Sequence, residues 1–528
     1  MKISDFDPLN NTLPITAGEA LTRNDLVEIV ATDGKAYRVR STDAAAVATI
    51  TYGTDQTSAA TGRIVAQTTI VAGATLAYSR QAVVRDSSGN IFTLTADSTN
   101  VGLRLSKYSP SGTLMGSVVL TGSNVQSNHQ LILLSNGNLA SVAYRGTNYY
   151  YAVHDSALAE VKTLTASAET SADYYFSAIA LSGGGFAIVY QQTTNPLLSQ
   201  LATYDNTGTA VLAGTTIWTR TGTTGSQLHR AVQLSDGNIA VAVSSENTVS
   251  SIGLYHGVVT TGGASVLAFT SLDTTLLSIS PEISTFTGYY CVARANATNQ
   301  LAFVFNNAGT LQGSGFTAAT TNGTTENKSK LINDGAAFWL IWANDTGMVE
   351  QLTKLPVAGT DYITTNITTS GTTNYGYLMD AFYENGAIVG VAMDGSGNVK
   401  PLLFVASTAS GLLVGAAATL FGSAPGTTNG YYPRIISGGD GAFICLYDYA
   451  TTASTNLCIG KYSNTAIVGV AAATTSSGSL VPVKQNAGAY SCNAVAGSPA
   501  MAFDMSATTA LYGNKGTVMN NCVVLKGI

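Results

Sequence analysis

The sequence predicts an all-β protein, and three observations carry that prediction. Only 10% of its 528 residues are charged while 45% are apolar, and the 54 glycines sit among Thr, Ser and Asn between short runs of Val, Ile, Tyr and Phe. That is the composition of strands punctuated by turns rather than of disorder or helix. A tight-turn motif, as in LSDGNIAVAV at Leu234, recurs along the chain at about 50-residue spacing. A second turn follows most copies of the first after 21 to 25 residues.

Taken in order, the first flank, residues 1–74, holds an apolar run from Leu26 to Val30, a turn at Asp33-Gly34 and an alternating strand. The repeats then occupy residues 75–465. Their turn glycines are Gly89, Gly137, Gly184, Gly237, Gly288, Gly335, Gly386 and Gly441. Second turns are marked by Gly112, Gly208, Gly309 and Gly411, with Ala466 in the same place in the last unit and only VHDSALAEV in the second. Asn, Asp and Gly supply the positive φ that two-residue hairpins demand. Each unit therefore reads strand, tight turn, strand, longer loop, strand, turn, strand. A lone four-stranded sheet cannot bury both faces, whereas a ring of them does, leaving only short edges. The expectation is a β-propeller of about eight four-stranded blades, seven being the alternative count. The last flank, residues 466–528, opens on an apolar strand, turns through Thr-Ser-Ser-Gly and ends in a strand at Cys522 to Leu525. Neither flank has strands enough for a core, so the two together are expected to form one small β-domain into which the propeller is inserted.

The formal net charge is −6 and basic residues are scattered, which argues against a nucleic-acid surface. The start, MKISDFDPLNN, lacks the apolar segment of a signal peptide. No apolar run reaches the ~18 residues of a transmembrane helix, so no membrane insertion is expected. Five cysteines, Cys291, Cys445, Cys458, Cys492 and Cys522, are irregularly spaced and read as buried thiols, with Cys445 and Cys458 flanking one hairpin.

Catalytic motifs are missing: there is no HExxH, GxSxG or phosphate-binding loop. Asp86, Asp236, Asp334 and Asp440 lie at the repeated turn, where an Asx turn is their expected work. The ligand-binding candidates lie instead at the start of each inner strand. His129 and His229 precede their turn glycines by eight residues, and Tyr174, Tyr175, Tyr375, Tyr377, Tyr431 and Tyr432 occupy the same frame, with Tyr78 in the first unit. Aromatic faces with polar tips gathered at a channel mouth suit a sugar or other partner. Packing between blades is the competing reading. Neither a metal nor a cofactor is expected.

The repeats resemble the L-x-D-G-G-F-x-V-x-W … Y-D-x-x-G units of large bacterial surface and adhesion proteins. LSGGGFAIVY at Leu181 followed by YDNTGTA at Tyr204 is the nearest copy. The flanks resemble small domains of tailed-bacteriophage virion proteins, such as lambda-type head decoration proteins and the base domains of phage fibres. The matching residues are Gly18-Glu19, Asp25-Leu26-Val27, Asp33-Gly34-Lys35 and Tyr37, then Gly469-Val470-Ala471, Gly478, Val481, Val483 and Gly488. In that family the domain is continuous, whereas here about 400 residues interrupt it. The resemblance implies a non-enzymatic virion structural protein, a fibre or spike that docks on other virion proteins of capsid or tail. It further implies a homo-oligomer, a trimer being the form expected, and a propeller that attaches to host-surface glycan. Head decoration or head fibre, tail nozzle, a propeller glycoside hydrolase or lyase, and a bacterial surface adhesin are the alternatives.

Overall fold

A computed structural model describes residues within 12–38 and 64–72, most of 82–366 outside the longer loops, the strands between 380 and 461, and the strands and short turns between 467 and 525. Eight four-stranded antiparallel sheets follow one another along the chain. They form blades 1 to 7 at residues 82–121, 129–170, 177–220, 227–273, 282–319, 329–366 and 380–419, and blade 8 at residues 434–461. Within each blade the strand that comes first is an edge strand, and it packs against the first strand of the next blade. That chain of contacts runs from Ala82–Arg85 through His129–Leu133, Ser177–Ala180, Gln227–Gln233, Glu282–Phe286, Ser329–Asn333 and Asp380–Glu384 to Arg434–Gly439, which meets Ala82–Arg85 again. The ring is closed, and the chain is an eight-bladed β-propeller.

Blade 8 takes only three strands from its own repeat. Its outer strand is Ile64–Ala72, paired antiparallel with Ser454–Lys461. The propeller thus begins at Ile64, inside the segment that the sequence assigns to the first flank. A strand with no turn motif beside it gives no local sign of a partner so far along the chain.

The two flanks meet in one five-stranded sheet, ordered Thr12–Thr16, Leu480–Lys484, Ile467–Ala471, Leu26–Ile29, Ala36–Arg38. The small β-domain is therefore built from both ends of the chain. Four more strands, Gly488–Ser491, Ala510–Tyr512, Gly516–Met519 and Cys522–Leu525, make a separate sheet from the last flank alone.

The turns explain the repeat. In blades 1 to 4 the first turn is a three-residue loop, not the two-residue loop expected. Leu234 N–H donates to the Asn238 carbonyl, and Gly237 N–H donates back to the Leu234 carbonyl, with Gly237 at φ +88°. This is a type I turn followed by one left-handed residue, and glycine fills that single place. Blade 5 keeps a two-residue turn, with Phe286 directly opposite Tyr289. The second turns of blades 4 and 6 lie at Gly263 and Gly359, both with positive φ. In blade 2 the left-handed place is taken by Leu158 at φ +68°, which accounts for the weakness of that copy. Leu158 is buried with Phe92, Leu94 and Leu105 of blade 1, so the apolar contact offsets the backbone cost.

Apolar side chains fill each blade-to-blade contact. Between blades 2 and 3, Tyr149, Phe176, Phe186, Tyr190 and Tyr204 are enclosed, and the Tyr149 and Tyr190 rings meet edge-on at 4.5 Å. Val83, Ile91 and Tyr108 pack against Ile444, Leu446 and Leu457 to seal blade 1 on blade 8. The exposed outer strands are protected in two ways. In blades 1, 2, 3, 4, 7 and 8 the outer pair carries a register shift. In blades 5 and 6 the outer strand is only four residues long. Bulged or short edges resist pairing with another molecule.

Candidate functional site

The inner strands place one residue per blade at a common level of the central channel. Ala82, Gln130, Ser177, Arg230, Glu282, Lys330, Asp380 and Arg434 each pair with the equivalent position of the second strand, namely Leu94, Val142, Val189, Ala242, Ala293, Ile341, Val391 and Leu446. All eight line a cavity of about 410 Å³. The level lies toward the ends at which most of the inner strands begin, away from the glycine turns.

Several of these side chains cap the neighbouring blade. An inner edge strand has backbone groups that no fifth strand satisfies. Gln130 Oε1 accepts from Ala178 N–H at 2.8 Å, Ser177 Oγ from Ala231 N–H at 3.0 Å, and Asp380 Oδ2 from Ile435 N–H at 3.0 Å. In each case the acceptor is on one blade and the donor is one residue past the same level on the next.

Charge alternates around the remaining arc. Arg230 of blade 4 lies 3.8 Å from Glu282 of blade 5, Lys330 of blade 6 lies 2.8 Å from Asp380 of blade 7, and Arg434 of blade 8 lies 3.8 Å from the same carboxylate. Burial works to raise the Asp380 pKa, but Lys330, Arg434 and the Ile435 N–H outweigh it and hold the carboxyl below its ordinary value. The Arg230 pKa is lowered as well, which here disfavours the charged form: burial lowers it, Glu282 opposes that, and Arg434 adds to the lowering from across the channel.

His129 and His229 each lie one residue before this level. His129 reaches the cavity wall but is only 2% exposed, and its Nε2 bonds the Leu94 carbonyl at 2.9 Å. Burial brings its pKa down to about 4, against the backbone bond and with help from Arg434, so the ring is neutral at pH 7. His229 is fully enclosed between blades 3 and 4, with Nε2 2.9 Å from Ser199 Oγ, which in turn donates to Gln227 Oε1. A Ser–His contact of this kind is the start of a nucleophile, but Ser199 is 0% exposed and out of reach of any substrate. Strand alternation explains the placement, because the neighbour of a channel residue turns toward the sheet packing. His256 is likewise buried, 3.0 Å from Tyr290 Oη and stacked on Phe305. Tyr174, Tyr175, Tyr375, Tyr377, Tyr431, Tyr432 and Tyr78 lie outside the described residues.

The turn aspartates act as backbone acceptors. Asp86 takes the Asn90 N–H at 2.8 Å, Asp236 the Asn238 N–H at 3.0 Å, and Asp334 the Ala336 and Ala337 N–H groups as well as Trp339 Nε1. Asp440 lies outside the described residues. Cys445 and Cys458 stand opposite each other in register. Among the described residues no group of three His, Cys, Asp or Glu could hold a metal ion, and no helix is long and apolar enough to cross a membrane.

The charged arc is the part of this site that sequence inspection missed. Its signal was present: Arg230, Glu282, Lys330, Asp380 and Arg434 all precede their turn glycines by five to seven residues.

No protein-family model matches the chain, and no curated protein matches it in sequence. Among solved structures it is similar to the Dos1 propeller, with a TM-score of 0.45 and 10% identity over 75% of this chain and 95% of that one. It is similar also to the BP39L lectin from Burkholderia pseudomallei, with a TM-score of 0.43 and 11% identity over 63% of this chain and 97% of the lectin. The WD40 domain of SCAP from fission yeast gives a TM-score of 0.42 and 7% identity over 75% of this chain and 98% of that one. These are likenesses of fold, and fold does not carry function.

Proposed function

We propose that this chain is a non-enzymatic structural and attachment protein of a tailed-phage virion, with the terminal β-sheet as the docking base and the propeller as the displayed module. One observation carries the reading. Leu26–Ile29 of the first flank pairs with Ile467–Ala471 of the last, so the segments that resemble virion base domains belong to a single sheet despite the insertion between them. The matching positions Leu26, Val27, Gly469, Val470, Ala471, Val481 and Val483 all lie on its strands. A fibre or spike role suits a propeller with blunted outer edges, since a displayed ring must stay unpaired with its neighbours. Other virion proteins are the partners of the base, assembly as a homo-oligomer follows the resemblance, and a host-surface glycan is the target of the propeller. A non-catalytic role is supported by the burial of the Ser199–His229 pair and by the mutual pairing of the channel carboxylates with cations.

The test is physical association. Full-length protein followed through particle purification is expected to band with intact virions at a fixed copy number. A chain that stays in the soluble fraction while the particles are complete overturns the reading. A glycan panel separates the enzymatic alternative, because release of new reducing or unsaturated ends by the purified protein would make it a hydrolase or lyase.

A further inference from the structure

Among the described residues, the channel holds more positive charge than its carboxylates neutralise. Three cations, Arg230, Lys330 and Arg434, face two carboxylates, Glu282 and Asp380, in a protein whose formal charge is −6. Asp380 serves two cations at once. It is 2.8 Å from Lys330 and also accepts the Ile435 N–H, which leaves Arg434 at 3.8 Å as its distant partner. Arg230 likewise stands 3.8 Å from Glu282. His129, the remaining titratable group at the cavity wall, adds no charge that could compensate. Arg434 is about a third exposed, 32%, and so retains a face toward the cavity. Past Arg434 around the ring, the wall contributed by blades 1 to 3 is neutral and polar or small, with Ala82, Gln130, Ser177 and Ala178. A cavity of about 410 Å³ is the size that takes one or two sugar rings or a similar small molecule.

We propose that the channel mouth is a binding site for a small carboxylate-bearing ligand of sugar-acid size, whose anionic group is taken by Arg434 with Arg230 and Lys330 beside it. A guanidinium with planar paired donors matches a carboxylate in geometry as well as charge. The anion supplies the missing negative charge and relieves the mutual repulsion of Arg434 and Arg230 across the channel. The hydroxyl-bearing remainder of the ligand meets Gln130 and the small side chains of blades 1 to 3. This proposal stands on the channel alone and does not depend on where the protein docks.

The probes are glucuronate, glucose and inorganic phosphate, titrated calorimetrically into the full-length protein at low ionic strength in a chloride-free buffer. Glucuronate is expected to bind saturably at one site per chain, with glucose silent and phosphate at least tenfold weaker. Arg434→Gln is expected to weaken glucuronate by tenfold or more with its thermal melt retained. Asp380→Asn, which keeps an acceptor for the Ile435 N–H while removing a negative charge, is expected to tighten glucuronate several-fold. A merely structural ring would not produce that gain, and rescue by Arg434→Lys is expected to be partial. Absence of glucuronate binding, equal binding of glucose or phosphate, or binding indifferent to both substitutions overturns the proposal. Because these titrations need no particle, a chain absent from virions and a channel without an anion site give separate failures.

Discussion

Blades 1 to 3 and blades 4 to 8 complete the same ring with different chemistry. In the first arc the channel level reads Ala82, Gln130 and Ser177, and neutral side chains cap the next blade's N–H groups at 2.8 and 3.0 Å. In the second arc it reads Arg230, Glu282, Lys330, Asp380 and Arg434, and a carboxylate makes the equivalent cap at 3.0 Å. The geometry of the cap is the same in both, so closure of the ring does not require charge. A charge that closure does not require is costly to hold in a partly buried place. Its presence in five consecutive blades points to a use other than holding the blades together.

That comparison can be broken, and the largest effect falls in the charged arc. Asp380→Ala removes the acceptor of a buried N–H and the partner of two cations, and is expected to cost about 3–5 kcal/mol in urea unfolding. Asp380→Asn should cost clearly less. Equal losses would mean that charge rather than the cap holds blades 7 and 8 together.

Acid comes next. His129 and His256 are held neutral by burial, with pKa values near 4 in the fold against an ordinary 6.5. Their folded pKa values are depressed, so the unfolded chain binds more protons between these limits. The stability they contribute is present above pH 6.5 and is lost as pH falls toward 4, up to about 3 kcal/mol for each ring. The depressed Asp380 carboxyl acts in the same sense below its ordinary value of 3.8. The urea midpoint should therefore be lower at pH 4.5 than at pH 7.0, while an unchanged midpoint would mean that the histidines are accessible in the fold.

In the neutral arc, Ser177→Ala leaves the Ala231 N–H without its acceptor and is expected to cost about 1–3 kcal/mol, read from the same denaturation curve. The smallest change is Gly237→Ala at a turn away from the channel. No atom lies within 4 Å of where the new methyl would stand, so the cost is that of φ +88° alone, about 1 kcal/mol. A much larger loss there would mean that the turns, rather than the inner ring, govern the fold.

Much of this fold was legible because its repeating signal is local. A glycine in a left-handed turn is a property of four or five residues, and Gly89 to Gly335 carried it in the described blades. Blade 2 faded where Leu158 replaced glycine, because its positive φ is supported by contacts with blade 1 that no local motif records. The outer strand of blade 8 was not legible at all, since IVAQTTIVA has no turn of its own and its partner is far along the chain. The site was half legible. Periodicity led to the start of the inner strands, where the cavity lies, but the histidines there turn into the packing. The charged residues belong to no local motif, and only the closed ring brings Arg434 across from Arg230.

The clasp of Ile64–Ala72 on Ser454–Lys461 also sets an order in time. The first of these strands leaves the ribosome before any blade exists. Its partner follows roughly 400 residues later, which at about 5–20 residues per second is an interval of roughly 20–80 seconds. Seven blades can form in that interval, each from strands made in succession, while the earliest strand waits. On a crowded messenger the waiting strand of one nascent chain is free to meet blade 8 of the chain ahead of it before that blade has taken up its own outer strand. Exchange of this one strand would then link two copies through a joint identical to the native one. The rate of synthesis through the last blade therefore bears on whether the ring closes on itself or on its neighbour.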